Sequence, residues 1–148
     1  MAYTTIDDPT IYFNTKLYTG NGAVGGDSTT ISSLDFAPNL VWIKNRTTSG
    51  DATSSHALTD TVRGVTKTLS SNLNTAEATY SNALTNFSSN GFTVSDKAIV
   101  NGNGNSLVAW NWKAGTSVSG DTTGSGTLKT YTGSVNTDAG FSIIRYIG

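Results

Sequence analysis

The sequence predicts an all-β fold: an antiparallel β-sandwich or jelly roll that follows an N-terminal arm. Short runs of β-branched and aromatic residues recur along the chain, and glycine- and asparagine-rich turns separate them at fairly even spacing. This pattern is typical of antiparallel sandwiches and barrels. The chain has 148 residues, enough for one domain with a sizeable core, and no cysteine to stabilise it by disulfide bonds.

The N-terminal segment of residues 1–13 is predicted to be a docking arm, because it is polar, carries two adjacent aspartates and is interrupted by Pro9. Its candidate partner-docking side chains are aromatic, aliphatic and acidic: Tyr3, Ile6, Asp7, Asp8, Ile11, Tyr12 and Phe13. The arm runs into a strand predicted over residues 11–19, IYFNTKLYT, where aromatic and β-branched residues are frequent.

The segment 36–46, FAPNLVWIKNR, gives the strongest strand signal of the chain. A turn at Pro38 and Asn39 precedes four consecutive apolar residues, and lysine, asparagine and arginine follow them. An apolar run of that length, bounded by turn residues, predicts a strand that is buried on both faces in the middle of a sheet.

The middle of the chain predicts a β-hairpin. Asn90 and Gly91, the strongest two-residue hairpin signal, lie between ALTNF and FTVSD. Apolar residues before this signal also recur at roughly helical spacing, which makes a helix over residues 73–87 the alternative. The asparagine, threonine and serine residues between them are poor helix formers, so we expect irregular structure that leads into a strand over residues 83–87.

A second core strand is expected over residues 107–113, LVAWNWK, near the end of a predicted sandwich domain of residues 14–115. Residues 116–128 are glycine, serine and threonine with almost nothing to bury, and they are therefore predicted to form a flexible linker. The last segment, residues 129–148, is predicted to form closing strands or to begin a following repeat.

Three tryptophans are candidates for carbohydrate contact, since aromatic faces beside amide side chains suit sugar recognition. Trp42 lies within the apolar run of the first core strand, and Trp110 shares the face of Val108 in the second, so both are expected in the core. Trp112 lies on that same face but follows the polar Asn111, and it is the candidate glycan contact.

No motif in the chain predicts catalysis, a cofactor or a metal ion. Residues 20–25, GNGAVG, match the letters of a dinucleotide-binding fingerprint, but no helix is predicted after them. His56 is the sole histidine, so a catalytic triad would need it together with Asp60 and a hydroxyl such as that of Ser54 or Ser55. A loop histidine is the preferred interpretation, and the scattered aspartates have no calcium-loop spacing.

The composition narrows the range of partners. A formal net charge of -1 gives no basic excess to neutralise phosphates, which argues against nucleic acid and against anionic membranes. No apolar run approaches the roughly 18 residues of a membrane-spanning helix, and the first residues lack the features of a signal peptide. The lack of a targeting signal predicts a chain made in the cytoplasm. Only 13% of the residues are charged and serine, threonine, asparagine and glycine are abundant, as on extracellular surfaces, so we expect the chain to reach the outside within a larger particle.

Five segments come in an order that resembles a known family: FAPNLVWIKNR, VRGVTKTLSSN, SSNGFTV, NSLVAWNWKAG and GFSIIRYIG. Together they are similar to a module of virion structural and tail-fibre proteins of marine bacteriophages, including cyanophages, which is compared with concanavalin-like or SPRY-like sandwiches. The opening MAYTTIDDPTIYFNTKLYTGNG is similar to the start of such proteins. Many relatives have AWCWKAG where this chain has Asn111 in place of the cysteine, so no thiol role carries over.

The resemblance implies a virion structural protein without enzymatic activity or cofactors. Its expected role is the N-terminal tail-attachment module of a tail fibre, assembled in the host cytoplasm and located in the virion tail. Its expected partners are a tail-tube, adaptor or baseplate protein and two further copies of the chain in a homotrimer. Two alternatives stay open: a lectin-like receptor-binding module that contacts host surface glycan, and a capsid decoration protein.

Overall fold

The computed structural model of the chain describes residues 8–23, 28–48 and 52–148. These residues are nearly all β, which confirms the predicted fold class. The strands, in chain order, are β1 (Phe13–Thr19), β2 (Thr29–Ile31), β3 (Leu40–Asn45), β4 (Ala57–Asp60), β5 (Lys67–Thr68), β6 (Ala78–Thr79), β7 (Leu84–Ser88), β8 (Gly91–Val94), β9 (Ser106–Trp112), β10 (Thr116–Asp121), β11 (Thr130–Asn136) and β12 (Phe141–Tyr146). The helical elements of the described residues are α1 (Ala98–Asn101) and 3₁₀ turns at Pro9–Ile11 and Ala52–Ser54.

These strands form antiparallel sheets that pack as a sandwich. The main sheet has the order β1-β9-β3-β4 and the facing sheet the order β2-β8-β7. A ribbon is formed by β5 and β6, and a separate C-terminal sheet has the order β10-β11-β12. The buried core draws on the main sheet, the facing sheet and α1, and its largest fully buried apolar side chains are Phe92, Leu34, Ile43, Leu84, Leu107, Val41, Val94 and Val100.

β3 is an internal strand between β9 and β4, as the segment 36–46 predicts. The prediction that both of its faces are buried is wrong. Val41 and Ile43 lie in the core at 0% and 1% exposure, whereas Trp42 between them is only partly buried. The core covers one face of the main sheet, so the continuous apolar run of β3 reflects an apolar outer face rather than a second core.

The placement of Trp42 and Trp110 in the core is also corrected. They pair directly across β3 and β9, with ring centroids 5.5 Å apart, and both are only partly buried. Val108 and Trp112 share the face of Trp110, as predicted, but this is the outer face of the main sheet, while Leu107 lies on the core face. The two indoles shield each other, which allows large apolar side chains outside the core.

The predicted hairpin is formed by β7 and β8, and a strand occupies Leu84–Ser88 where a helix was the alternative. Ser88 pairs with Gly91, so the two loop residues are Ser89 and Asn90. The turn therefore lies one residue earlier than the Asn90–Gly91 signal, and Gly91 is the first residue of β8.

The flexible linker predicted for residues 116–128 is wrong over its first half. Thr116–Asp121 form β10, which pairs with β11 along its whole length, and residues 122–128 lie in the loop between these strands. The strand was missed because β10 is mostly exposed and has little to bury, although its threonine and valine suit strand conformation. β11 and β12 confirm the closing strands predicted within residues 129–148, whereas the division of the chain into domains stays a prediction.

Candidate functional site

An open cleft lies where the start of β1 meets the C-terminal sheet. Its volume is about 270 Å³, and its lining residues are Pro9, Tyr12, Phe13, Trp112, Ala139, Gly140 and Phe141. Four of these seven residues are aromatic, which gives the cleft a mainly apolar surface. A concave apolar surface with few polar groups is the usual form of a binding site, so this cleft is the candidate functional site.

The pairing of β1 with β9 brings Phe13 and Trp112 together. The two residues are directly opposite in the antiparallel register, and their ring centroids lie 4.9 Å apart with the planes inclined at 52°. Phe141, the first residue of β12, has its ring centroid 5.9 Å from that of Trp112, with the planes inclined at 20°. Trp112 thus contacts one aromatic ring of the main sheet and one of the C-terminal sheet. We call Phe13, Trp112 and Phe141 the aromatic cluster.

Hydrogen bonds hold the C-terminal sheet beside the cleft. Asn39 Oδ1 accepts hydrogen bonds from the backbone N–H groups of Ala114 and Gly115, at 2.9 and 3.1 Å. Asn136 Nδ2 donates to the backbone oxygen of Lys113 at 3.2 Å. These bonds fix the connection between β9 and β10, so the aromatic cluster is formed before any partner binds.

The structure brings together only part of the predicted docking arm. Tyr12 and Phe13 line the cleft, and the neighbouring Ile11 is 39% exposed. Asp8 instead caps the 3₁₀ turn, where its Oδ1 accepts hydrogen bonds from Thr10 Oγ1 at 2.6 Å and Thr10 N at 2.9 Å. These bonds lower the pKa of the Asp8 carboxyl. The other three predicted arm contacts lie outside the described residues: Tyr3, Ile6 and Asp7.

The boundary of the arm at residue 13 needs a correction. Phe13 is the first residue of β1 and pairs with Trp112, so it belongs to the main sheet rather than to the arm. The strand predicted over residues 11–19 already overlaps the end of the arm, because Ile11, Tyr12 and Phe13 all suit a strand. The 3₁₀ turn at Pro9–Ile11 separates the preceding residues from β1, since proline at its start favours a turn over a sheet.

His56 and Asp60, which a catalytic triad would need, have separate partners. His56 Nδ1 accepts a hydrogen bond from Trp42 Nε1 at 3.0 Å. Asp60 is 3% exposed, and its Oδ2 accepts a hydrogen bond from Arg63 Nε at 2.6 Å. Burial and, secondly, the positive charge of Lys44 lower the pKa of His56, which favours the neutral ring that can accept from Trp42. These contacts give both residues a structural role.

Sequence reasoning missed the part of the cleft that comes from Ala139, Gly140 and Phe141. Phe141 was recognised only as the start of a closing strand, because the spacing within one strand carries no information on contacts between separate sheets. Within residues 8–23, 28–48 and 52–148, no group of three or more His, Cys, Asp or Glu side chains could hold a metal ion. In the same part of the chain, no helix is long and apolar enough to cross a membrane.

Comparison with known proteins identifies the chain at the level of a family. No curated protein and no solved structure matches the chain. Residues 8–148, which include the cleft and all twelve strands described above, match the model of DUF7483, a domain of unknown function, and the chain belongs to that family.

Proposed function

We propose that this chain is a structural module of a bacteriophage virion without an enzymatic role, namely the N-terminal tail-attachment module of a tail fibre. The order of the five sequence segments quoted above supports the virion origin. The aromatic cleft supports a docking role. The partner in this proposal is a tail-tube, adaptor or baseplate protein, which the chain meets during assembly in the host cytoplasm.

The observation that carries the docking role is the incomplete burial of the aromatic cluster. Phe13 is 37% exposed and Trp112 is partly buried, although each lies in a strand that is paired along its length. Rings that are held in place before binding lose little conformational entropy on association. Aromatic residues are also enriched at the centres of protein interfaces. An apolar side chain of a partner therefore finds a preformed site in the cleft.

The docking proposal is tested in a phage that encodes this chain. We expect Phe13→Ser to lower the amount of the protein in purified particles by about tenfold or more, because truncating a central interface aromatic costs about 2 kcal/mol of binding free energy. Quantitative mass spectrometry of the particles measures this amount. Deletion of residues 1–8 tests the contribution of the arm by the same measurement.

Leu128→Ser is the matched control for Phe13→Ser. Leu128 is 57% exposed and lies in the loop before β11, outside the cleft, so this variant should be incorporated normally. Circular dichroism of both purified variants shows whether the fold is kept. Normal incorporation of a folded Phe13→Ser variant would contradict a docking role for the cleft.

A lectin-like module is less well supported by the geometry. The ring of Phe141 lies nearly parallel to the indole of Trp112, and it covers part of the ring face on which a sugar would stack. A glycan array separates the two functions, because saturable binding that Trp112→Ala abolishes would favour the lectin. Electron microscopy of particles with labelled protein separates attachment to the tail from decoration of the capsid.

A further inference from the structure

β1 is an edge strand of the main sheet. One edge of β1 pairs with β9, and the backbone hydrogen bonds at its two ends run from Lys113 N to Tyr12 O and from Gly20 N to Asn105 O. In an antiparallel ladder, alternate residues direct both backbone groups to the same neighbour. The even-numbered residues of β1 therefore face β9, and the odd-numbered residues from Phe13 to Thr19 direct their N–H and C=O groups to the other edge.

That other edge is open in the described part of the chain, where no strand pairs with it. Proteins commonly block such an edge with a proline, a bulge or outward charges. β1 has no proline, its pairing with β9 shows no bulge, and its one charged residue is Lys16. An extended strand is the element whose hydrogen-bonding groups match this edge.

The side chains of the odd-numbered residues make the same edge apolar. Leu17 is 66% exposed and Phe13 is 37% exposed, and both lie on the outer face of the main sheet. An exposed leucine in a paired strand gains free energy by burial against an apolar neighbour. We propose that β1 pairs antiparallel with β1 of a second copy of this chain, with a two-fold axis at Thr15.

The sequence of β1 favours this register over its alternatives. With Thr15 at the axis, Thr15 faces itself, Phe13 faces Leu17 of the second copy, and Asn14 faces Lys16 of the second copy. The two threonines can form a hydrogen bond, Phe13 and Leu17 bury apolar surface, and Asn14 opposite Lys16 brings no like charges together. An axis at Lys16 would place two lysines directly opposite each other, which is unfavourable. An axis at Leu17 would leave Phe13 without a partner within β1.

A second copy also fits the surroundings of β1. The leucine of the second copy would lie against Phe13 at the edge of the aromatic cleft, so the new contact is continuous with the candidate site. Two chains with a net charge of -1 each repel one another only weakly. A two-fold contact predicts an even number of chains: two, or six where a three-fold contact is also present.

The first test measures the mass of the purified chain by sedimentation across a dilution series. We expect the measured mass to be an even multiple of the chain mass. Leu17→Lys should lower it by about half, because each copy would then place a charged lysine side chain against Phe13 of the other copy. Leu128→Lys changes a leucine that is 57% exposed, against 66% for Leu17, and lies far from β1 in sequence, so it should leave the mass unchanged. A monomer or trimer before substitution, or an unchanged mass in a folded Leu17→Lys variant, would overturn the pairing.

The second test locates the axis by cross-linking. The chain has no cysteine, so Thr15→Cys adds a single thiol. At the axis, the two copies of residue 15 would form a hydrogen-bonded pair with Cα atoms about 5.5 Å apart, within the range of a disulfide. Mild oxidation should therefore cross-link Thr15→Cys but not Thr19→Cys, which lies on the same edge. Cross-linking of neither variant, or of Thr19→Cys alone, would refute the register. Neither test requires virions, so the outcome is independent of the tail-attachment proposal.

Discussion

At the scale of single residues, the contact of His56 with Trp42 couples stability to pH. His56 Nδ1 accepts a hydrogen bond from Trp42 Nε1 at 3.0 Å and lies 3.2 Å from the hydroxyl oxygen of Ser71. The bond from Trp42 needs an unprotonated Nδ1, because both nitrogens of a protonated imidazole are donors. Burial and the charge of Lys44 lower the pKa of His56 in the folded chain below its ordinary value of 6.5.

We expect the free energy of unfolding to fall as the pH is lowered below 6.5, the ordinary pKa of histidine. Between this value and the lowered folded-state pKa, the unfolded chain binds a proton that the folded chain does not, so acid favours unfolding. The contribution is complete above pH 6.5 and is lost as the pH falls through the folded-state pKa. Urea unfolding curves between about pH 7.5 and pH 5 measure the change, above the range in which most carboxylates titrate.

The control for this pH dependence is His56→Gln. His56 is the sole histidine, so no other imidazole contributes in that pH window. The variant should show a nearly flat free energy of unfolding where the original chain shows a slope. An equal slope in both proteins would mean that His56 is not the group responsible.

At the scale of elements, Gly91 fixes how closely β8 approaches β2. A Cβ added at Gly91 would lie 2.9 Å from Ser32 Cα and still closer to the backbone oxygen of Ile31. These are backbone atoms, so rotation of a side chain cannot relieve the contact and the two strands would have to separate. We expect Gly91→Ala to lower the free energy of unfolding by about 1–3 kcal/mol from overpacking, against a gain of about 0.4–1 kcal/mol from the stiffer unfolded chain.

Urea unfolding measures this prediction, with Ser89→Ala as the control. Ser89 is an exposed loop residue of the same hairpin, and its substitution should change the free energy of unfolding by less than about 0.5 kcal/mol. A Gly91→Ala variant that is more stable than the original chain by about 0.4–1 kcal/mol would show that β2 moves away from β8 without cost.

The elements also show what the sequence could predict. β3, β9 and the hairpin of β7 and β8 were identified, because alternating or continuous apolar runs between turn residues report local conformation. β10 was missed, since a strand with exposed faces has no apolar pattern to detect. The burial of β3 was overestimated. An apolar run does not reveal whether the second face of the strand meets another sheet or only the neighbouring indole of Trp110.

The sequence likewise predicted only part of the cleft. Tyr12, Phe13 and Trp112 were identified as candidates, but for two separate functions, because Phe13 and Trp112 are far apart in the sequence and no local pattern joins them. Their contact depends on the register of β1 against β9, and that of Trp112 with Phe141 depends on how two sheets meet. Strand register and sheet packing depend on residues far apart in the sequence, so the pattern within a single segment cannot predict them.

At the scale of the whole molecule, the C-terminal sheet is attached to the sandwich rather than built into it. All residues of the main core cluster lie between Ile31 and Ala109, so none comes from β10, β11 or β12. The C-terminal sheet leaves Ile144 and Tyr146 exposed at 46% and 67%. The contacts that link it to the sandwich include that between Trp112 and Phe141 and the hydrogen bonds around the connection of β9 to β10.

We therefore expect a chain that ends at residue 115 to fold without the C-terminal sheet. It should unfold cooperatively in urea, with a smaller slope on denaturant because less surface is buried. The free energy of unfolding should fall by about 2 kcal/mol, since Trp112 loses the apolar cover of Phe141.

A peptide of residues 116–148 is the complementary control and should show no cooperative transition, because an isolated three-stranded sheet of this size with little to bury is marginal. Loss of cooperative unfolding in the shortened chain would mean that the C-terminal sheet is part of the folding unit, and that the cleft lies within one domain rather than at a junction.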